Sequence, residues 1–190
     1  MGLTASKPLE VLKSSDETDG SFVRFELTLY PRDPQRETSL SHNRWSIDFP
    51  TEHVHPLQDE HWRVISGGLA VANGDTETTL SPAESITLPA GIPHRIWNPL
   101  DEPSRVVLEF RPALDAQSLT ETLYMLAQRG ETNDTGQLKL LQFAVTQDAH
   151  PNQLYLTAVP IFLQRILIRL LAPIGRFRGY QAVYHLDYPG

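Results

Sequence analysis

His53-Val54-His55-Pro56-Leu57-Gln58-Asp59-Glu60, then Gly67, then Pro89-Ala90-Gly91-Ile92-Pro93-His94 and Asn98, form the stretch whose reading decides the fold. Side chains alternate faces along a strand, so His53 and His55, two apart, point the same way. Glu60 lies at an odd offset and would fall on the wrong face of an unbroken strand. Pro56 removes the difficulty: it has no N–H for the ladder and tends to end or bend a strand. A new strand, Glu60 to Ser66, then sets its own register. His94 follows a Pro-Ala-Gly loop in which glycine allows a tight turn. Three imidazoles and one carboxylate are thereby offered to one point, as in a mononuclear metal site.

Outward from this stretch the chain alternates in short runs. Phe22 to Tyr30 puts Val23, Phe25, Leu27 and Leu29 on one parity, and Asn43 to Phe49 does the same with Trp45, Ile47 and Phe49. Leu69 to Ala72 and Thr76 to Leu80 flank Asn73-Gly74-Asp75, a tight-hairpin signal. Ser85 to Leu88, Ile92 to Trp97 and Arg105 to Arg111 complete the series. Short strands at turn-punctuated spacing predict a mainly β fold, closed or double-sheeted, rather than alternating β and α units. After Pro112 the period becomes helical. Helices are predicted over Asp115 to Gln128, stopped by Gly130, then over Gln137 to Gln147, and over Pro160 to Ala172. Residues 1–20, rich in Ser, Asp and Glu towards their end, read as a mobile lead-in. The expected organisation is 1–20 lead-in, 21–112 β-barrel and 113–190 helical region, packed on the barrel or on a second subunit.

The pattern His-x-His-x4-Glu-x6-Gly with Pro-x-Gly-x2-His-x3-Asn resembles the paired signatures of the cupin superfamily over roughly residues 20–112. His53, His55, Glu60 and His94 stand at that family's metal-binding positions, and Gly67, Pro89, Gly91 and Asn98 at its structural ones. A glycine usual just before the first histidine is replaced here by Phe49-Pro50-Thr51-Glu52. The resemblance implies a double-stranded β-helix (jelly-roll) barrel. It does not imply one reaction, because the superfamily includes dioxygenases, isomerases, decarboxylases, cyclases, sensors and metal-free storage proteins.

Composition narrows the classes. With 190 residues, 40% hydrophobic, the chain can bury a core as one domain with an appendage. A net charge of −7 argues against a nucleic-acid partner. The absence of cysteine excludes disulfides, thiolate ligands and a cysteine nucleophile. The polar first twenty residues carry no apolar signal segment, so a cytoplasmic location is expected. Met1-Gly2-Leu3-Thr4-Ala5-Ser6 fits the loose consensus for N-myristoylation of Gly2.

Between Ala149 and Leu186 there is no acidic residue, whereas Arg165, Arg169, Arg176 and Arg178 are present. The third helix, rising only about 20 Å, is too short for a hydrocarbon core of roughly 30 Å. Arg165 and Arg169 share a face, leaving a wide apolar face for burial in the fold or in a homodimer. A peripheral membrane contact, or a cover whose arginines attract an anionic substrate, are the sharper alternatives.

Three nitrogens and one carboxylate oxygen suit one divalent ion, with Fe(II) expected first and Mn, Ni, Co or Zn as alternatives. Four protein ligands leave one or two positions for water, O2 or a chelating substrate. Glu60 and His94 are the candidate catalytic residues. Trp45, Trp62 and Trp97 are candidates for a wall around an apolar small-molecule substrate, core filling being the plainer role. Glu109 should face outward by parity and would be a candidate base only if it faced inward. His42, His61, His150 and His185 read as surface or supporting histidines. These residues predict a metal-dependent enzyme for a small, largely apolar oxygenated molecule, with dioxygenase or oxygenase chemistry foremost. Redox-neutral isomerisation, cyclisation or dehydration, a non-catalytic ligand-binding module, and a membrane-peripheral scaffold are the rivals.

Overall fold

A computed structural model describes residues 8–31, 52–132 and 137–186. Ten strands are defined among them: β1 (Leu9–Lys13), β2 (Val23–Leu29), β3 (His53–Val54), β4 (Asp59–Ser66), β5 (Leu69–Asn73), β6 (Thr76–Leu80), β7 (Ser85–Leu88), β8 (Arg95–Trp97), β9 (Ser104–Arg111) and β10 (Tyr155–Leu156). The helices are α1 (Ala116–Gln128), α2 (Leu140–Ala149) and α3 (Ile161–Phe177). One sheet has the order β1-β2-β9-β4-β7, a second β6-β5-β8, and β10 pairs with β3. The fold is mainly β with helices at its C-terminal end.

The alternation read from β2 is borne out: Val23, Phe25, Leu27 and Leu29 are fully buried. They pack with Trp62, Val64, Val106 and Leu108 from their own sheet and with Leu69, Val71, Leu80 and Ile96 from the three-stranded one. The two sheets therefore share one apolar interior, each such side chain contributing about 1.5–3 kcal/mol by leaving water. Gly67 sits between β4 and β5 with φ +81°. A Cβ there would lie 2.8 Å from Ser104 Cα, so the sheets close only if this position has no side chain.

Three expectations need correction. Leu9–Lys13, inside the presumed lead-in, forms β1, antiparallel to β2 with Leu9 buried. Its polar neighbours hid it, and an edge strand needs only one apolar face. The C-terminal region is not purely helical, because Tyr155 and Leu156 pair with Val54 and His53 of β3. α3 extends past Ala172 through Pro173 to Phe177, packing mainly against α2 and touching β10. Its fit depends on Gly175, whose missing Cβ would stand 2.5 Å from Val145 Cγ2 and 2.9 Å from the Leu141 carbonyl. The expected strand over 43–49, Trp45, His42 and Gly2 lie outside the described residues.

The helices pin β10 in place. Gln164 of α3 donates from Nε2 to the Leu156 and Val159 carbonyls (2.7 and 2.6 Å) and accepts the Leu156 N–H at 3.1 Å. Gln147 of α2 donates to the Leu154 carbonyl at 2.7 Å. On its other side Thr157 donates its hydroxyl to Glu52 Oε2 at 2.6 Å. The outward face of α3 leaves Phe162, Ile166, Leu170, Ile174 and Phe177 exposed. No helix among the described residues is long and apolar enough to cross a membrane.

Candidate metal centre

His53 lies on β3, His55 just beyond it, Glu60 on β4, and His94 immediately before β8. Two backbone hydrogen bonds join His53 to His94 reciprocally, at 3.0 and 2.9 Å. The Gly91 N–H reaches the His55 carbonyl at 2.8 Å, with Gly91 in the left-handed region at φ +78°. The two halves of the sequence pattern are thus stitched together by the main chain. Each of the four residues offers one ligand atom, and these atoms lie within 4.8 Å of one another, all four residues being buried.

Orientation follows from hydrogen bonding. His94 Nδ1 is 2.9 Å from the Ile92 carbonyl, an acceptor only, so Nδ1 carries a proton and Nε2 is the atom left to take a metal ion or a second proton. That Nε2 is 3.0 Å from Glu60 Oε2 yet makes no aligned hydrogen bond, and it is fully buried. His55 Nε2 is 3.1 Å from Glu60 Oε1. Trp62 donates its indole N–H to Glu60 Oε2 at 3.0 Å, which fixes the carboxylate plane. Lone pairs crowded in this way repel unless a proton or a cation lies among them. The donor set therefore suits a divalent ion, and the four residues could hold one.

Electrostatics agree. Burial alone would raise the Glu60 pKa, but the histidines His55 and His94 outweigh it and hold the carboxyl well below its ordinary range. For His94 burial works downward, and the Glu60 carboxylate, the Ile92 carbonyl and the Glu52 charge together raise its pKa above the ordinary histidine value. Glu60 is thus anionic at neutral pH. A metal competes with a proton for the His94 lone pair.

A cavity of about 30 Å³ lies against these residues. Its walls are His53, His55, Glu60, Trp62, Ile96, Leu108 and Phe110, with Leu119, Thr120 and Leu123 from α1 and Leu154 from the segment before β10. Sequence reasoning missed these last four. Leu119 and Leu123 were visible as one face of a helix, but no local signal says what that face covers.

The tryptophans divide. Trp62 lines the cavity, where its indole N–H positions the Glu60 carboxylate. Trp97 does not line it: on β8 the inward residue is Ile96, and the next side chain points to the opposite face, where Trp97 packs with Ala70 and Ala72. Glu109 is buried but away from the cavity, where Arg24 donates to it at 2.7 Å and Arg111 also binds it. His61 points elsewhere, to the Thr87 hydroxyl at 2.9 Å. His150 joins α1 to α2 through the Ser118 hydroxyl (2.9 Å) and the Thr146 carbonyl (2.8 Å).

Known proteins resemble part of this chain. Residues 48–110 match the family model described as a cupin domain. The chain is 38% identical over 71 residues to an oxidoreductase of Arthrobotrys oligospora, a match covering 36% of this chain and 28% of that protein. It is 37% identical over 62 residues to the tetracenomycin polyketide synthase protein TcmJ of Streptomyces glaucescens, covering 33% and 42% respectively. The matches thus span less than half the length of either curated relative. Among solved structures, a conserved protein with a double-stranded β-helix domain from Klebsiella pneumoniae is 19% identical with a TM-score of 0.40, over 60% of this chain and 83% of that one. KdgF from a Halomonas species is 18% identical with a TM-score of 0.42, over 57% and 80%. Residues 48–110, about a third of the chain, are thus similar to a cupin domain.

Proposed function

We propose that this chain is a metal-dependent enzyme with a mononuclear centre held by His53, His55, Glu60 and His94, acting on a small, largely apolar molecule that bears chelating oxygens. The observation that carries the reading is the buried His94 Nε2, left to take an ion or a proton by the Ile92 carbonyl at Nδ1 and crowded against Glu60. Among the described residues the cavity walls offer no acid or base beyond the four ligands. Proton-transfer chemistry would then rest on Glu60 alone, whereas an apolar shell suits oxygenase chemistry, in which the reacting groups meet at the ion. A divalent ion bound there would supply open positions for substrate oxygens and, as iron, electrons for O2. The protein's part is to orient Glu60 through Trp62, hold the His94 tautomer through Ile92, and keep water out with α1.

The relatives' names are compatible: one is an oxidoreductase, and the other belongs to the synthesis of a polyketide. The second name also keeps redox-neutral chemistry in view, with Glu60 as the base. Metal analysis of the purified protein, followed by oxygen uptake by the iron-loaded form with catechol, flavonoid and diketone substrates, tests the reading. Uptake that His55→Ala abolishes without unfolding the chain supports oxygenation. Substrate turnover without oxygen consumption would move the assignment to the redox-neutral class. Absence of any bound divalent ion would end it.

A further inference from the structure

The cavity at the four ligands holds little more than a water-sized group, about 30 Å³, so it cannot itself seat an organic substrate. A second cavity of about 370 Å³ lies among α1, α2, α3 and the segment 154–159. Three residues, Leu119, Leu123 and Leu154, line both cavities. A single layer of leucine side chains therefore separates the larger cavity from the candidate metal centre.

We propose that the larger cavity is the substrate chamber: it takes the uncharged, apolar body of the substrate, whose oxygen-bearing end passes the leucine layer to reach the metal centre. The proposal rests on the metal-centre reading above. Its volume falls within the range of small-molecule sites, roughly 300–1,000 Å³. The chemistry of the wall selects the ligand. Among the described residues no charged side chain lines the chamber, the amides of Gln147 and Gln164 are engaged with the backbone of residues 154–159, and the Thr146 hydroxyl accepts from Gln142. Apart from these and Gln137 the wall is aliphatic and aromatic, including Phe143, Leu167 and Leu171. That excludes an anionic body drawn in by the arginines of α3. Leu140 and Leu167 line the chamber while remaining 66% and 43% exposed, so it opens to solvent between α2 and α3. The same two helices position β10 on the strand of His53, which joins chamber and centre in one framework.

The test uses the full chain with two probes. N-phenyl-1-naphthylamine, neutral and apolar, reports the chamber by fluorescence without any metal. Cobalt(II) reports the centre by its visible absorption, and 3-hydroxyflavone, with adjacent carbonyl and hydroxyl oxygens, reports communication between them. The wild type should bind the naphthylamine saturably at one site. Leu167→Trp, at a position already partly exposed, and Leu171→Trp should fill the chamber and weaken that binding at least tenfold, with cobalt uptake unchanged. Phe162→Ser/Leu170→Ser, which removes exposed apolar side chains of α3 outside the chamber, should leave it unchanged. 3-Hydroxyflavone should shift the cobalt bands of the wild type but not of the filled variants. Wild-type naphthylamine affinity in both filled variants, loss of binding in the α3 surface variant, or equal band shifts in filled and wild-type protein would overturn the proposal. If the wild type takes up no cobalt, the metal reading fails, and the naphthylamine arm still decides the chamber.

Discussion

The indole nitrogen of Trp62 stands 3.0 Å from Glu60 Oε2, two residues along the same strand and on the same inward face. Within a strand that spacing is automatic, so one element supplies both the candidate ligand and the donor that orients it. The carboxylate would otherwise rotate about its terminal torsion. Partners of this kind typically govern metal affinity by 10- to 100-fold. Trp62→Phe keeps an aromatic in the core and removes only the donor. We expect the metal dissociation constant to rise about 10- to 100-fold, measured by competition with a chromophoric chelator, with far-UV circular dichroism unchanged. An unaltered constant would mean that the indole is merely core.

Acid and base act oppositely on the pair formed by His94 and Glu60 in the metal-free protein. The folded pKa of His94 lies above its reference of 6.5, so its contribution to stability is complete below that value and is lost as pH rises through the raised folded value. The folded pKa of Glu60 lies well below 4.5, so its contribution is present above 4.5 and is lost as pH falls through the lowered value. The metal-free protein should therefore show a falling Tm as pH is raised above 6.5. Metal binding requires the His94 proton to leave, so stabilisation by metal should grow over the same interval. Calorimetry of metal-free and metal-loaded protein across this range checks both slopes, and His94→Gln should flatten the first. A metal-free Tm that climbs with pH would contradict the assigned pair.

The strand alternation was legible because it is local: Val23 to Leu29 shows a period of two. The four candidate ligands were legible from their motif pattern, although His94 joins the others only through the backbone pairing of His53 with His94. Features set by distant partners were not. Tyr155 and Leu156 form a two-residue strand, too short for any pattern, and the strand exists because Gln164 and Gln147 fasten its backbone. Trp97 takes the plainer of its two roles, core filling, because parity on β8 puts Ile96 inside and Trp97 on the opposite face with Ala70 and Ala72. The helix through Pro173 is equally non-local, since its packing is decided by the gap that Gly175 leaves for Val145 and Leu141.

Gly175 sets two effects against each other. In an exposed helix, alanine for glycine gains about 1 kcal/mol of propensity. Here the new Cβ would fall 2.9 Å from a backbone carbonyl that no rotamer change can move, and 2.5 Å from Val145 Cγ2. Overpacking of this kind typically costs about 1–3 kcal/mol and should win. Gly175→Ala is expected to lower stability by about that amount in urea unfolding, and Val145→Ala should recover only part of it, because the Leu141 carbonyl remains. A stabilised Gly175→Ala would show that the α2–α3 contact is loose.

Thr157 joins the C-terminal segment to the residue preceding the strand of His53. Its hydroxyl donates to Glu52 Oε2 at 2.6 Å, and its N–H reaches the Glu52 carbonyl at 3.2 Å, continuing the pairing of β10 with β3 by one step. Glu52 is in turn one of the charges that raise the His94 pKa, so the contact links the helical region to the centre electrostatically as well as mechanically. Thr157→Val preserves shape and β propensity while removing the hydroxyl. A hydrogen bond to a charged group contributes about 1.5–3 kcal/mol, reduced here by partial exposure, so a loss of about 1 kcal/mol is expected. The sharper readout is local: amides of residues 154–157 should exchange faster with deuterium while those of β2 and β9 do not change. Equal exchange in variant and wild type would mean that Gln164 and Gln147 alone hold β10 against the strand of His53.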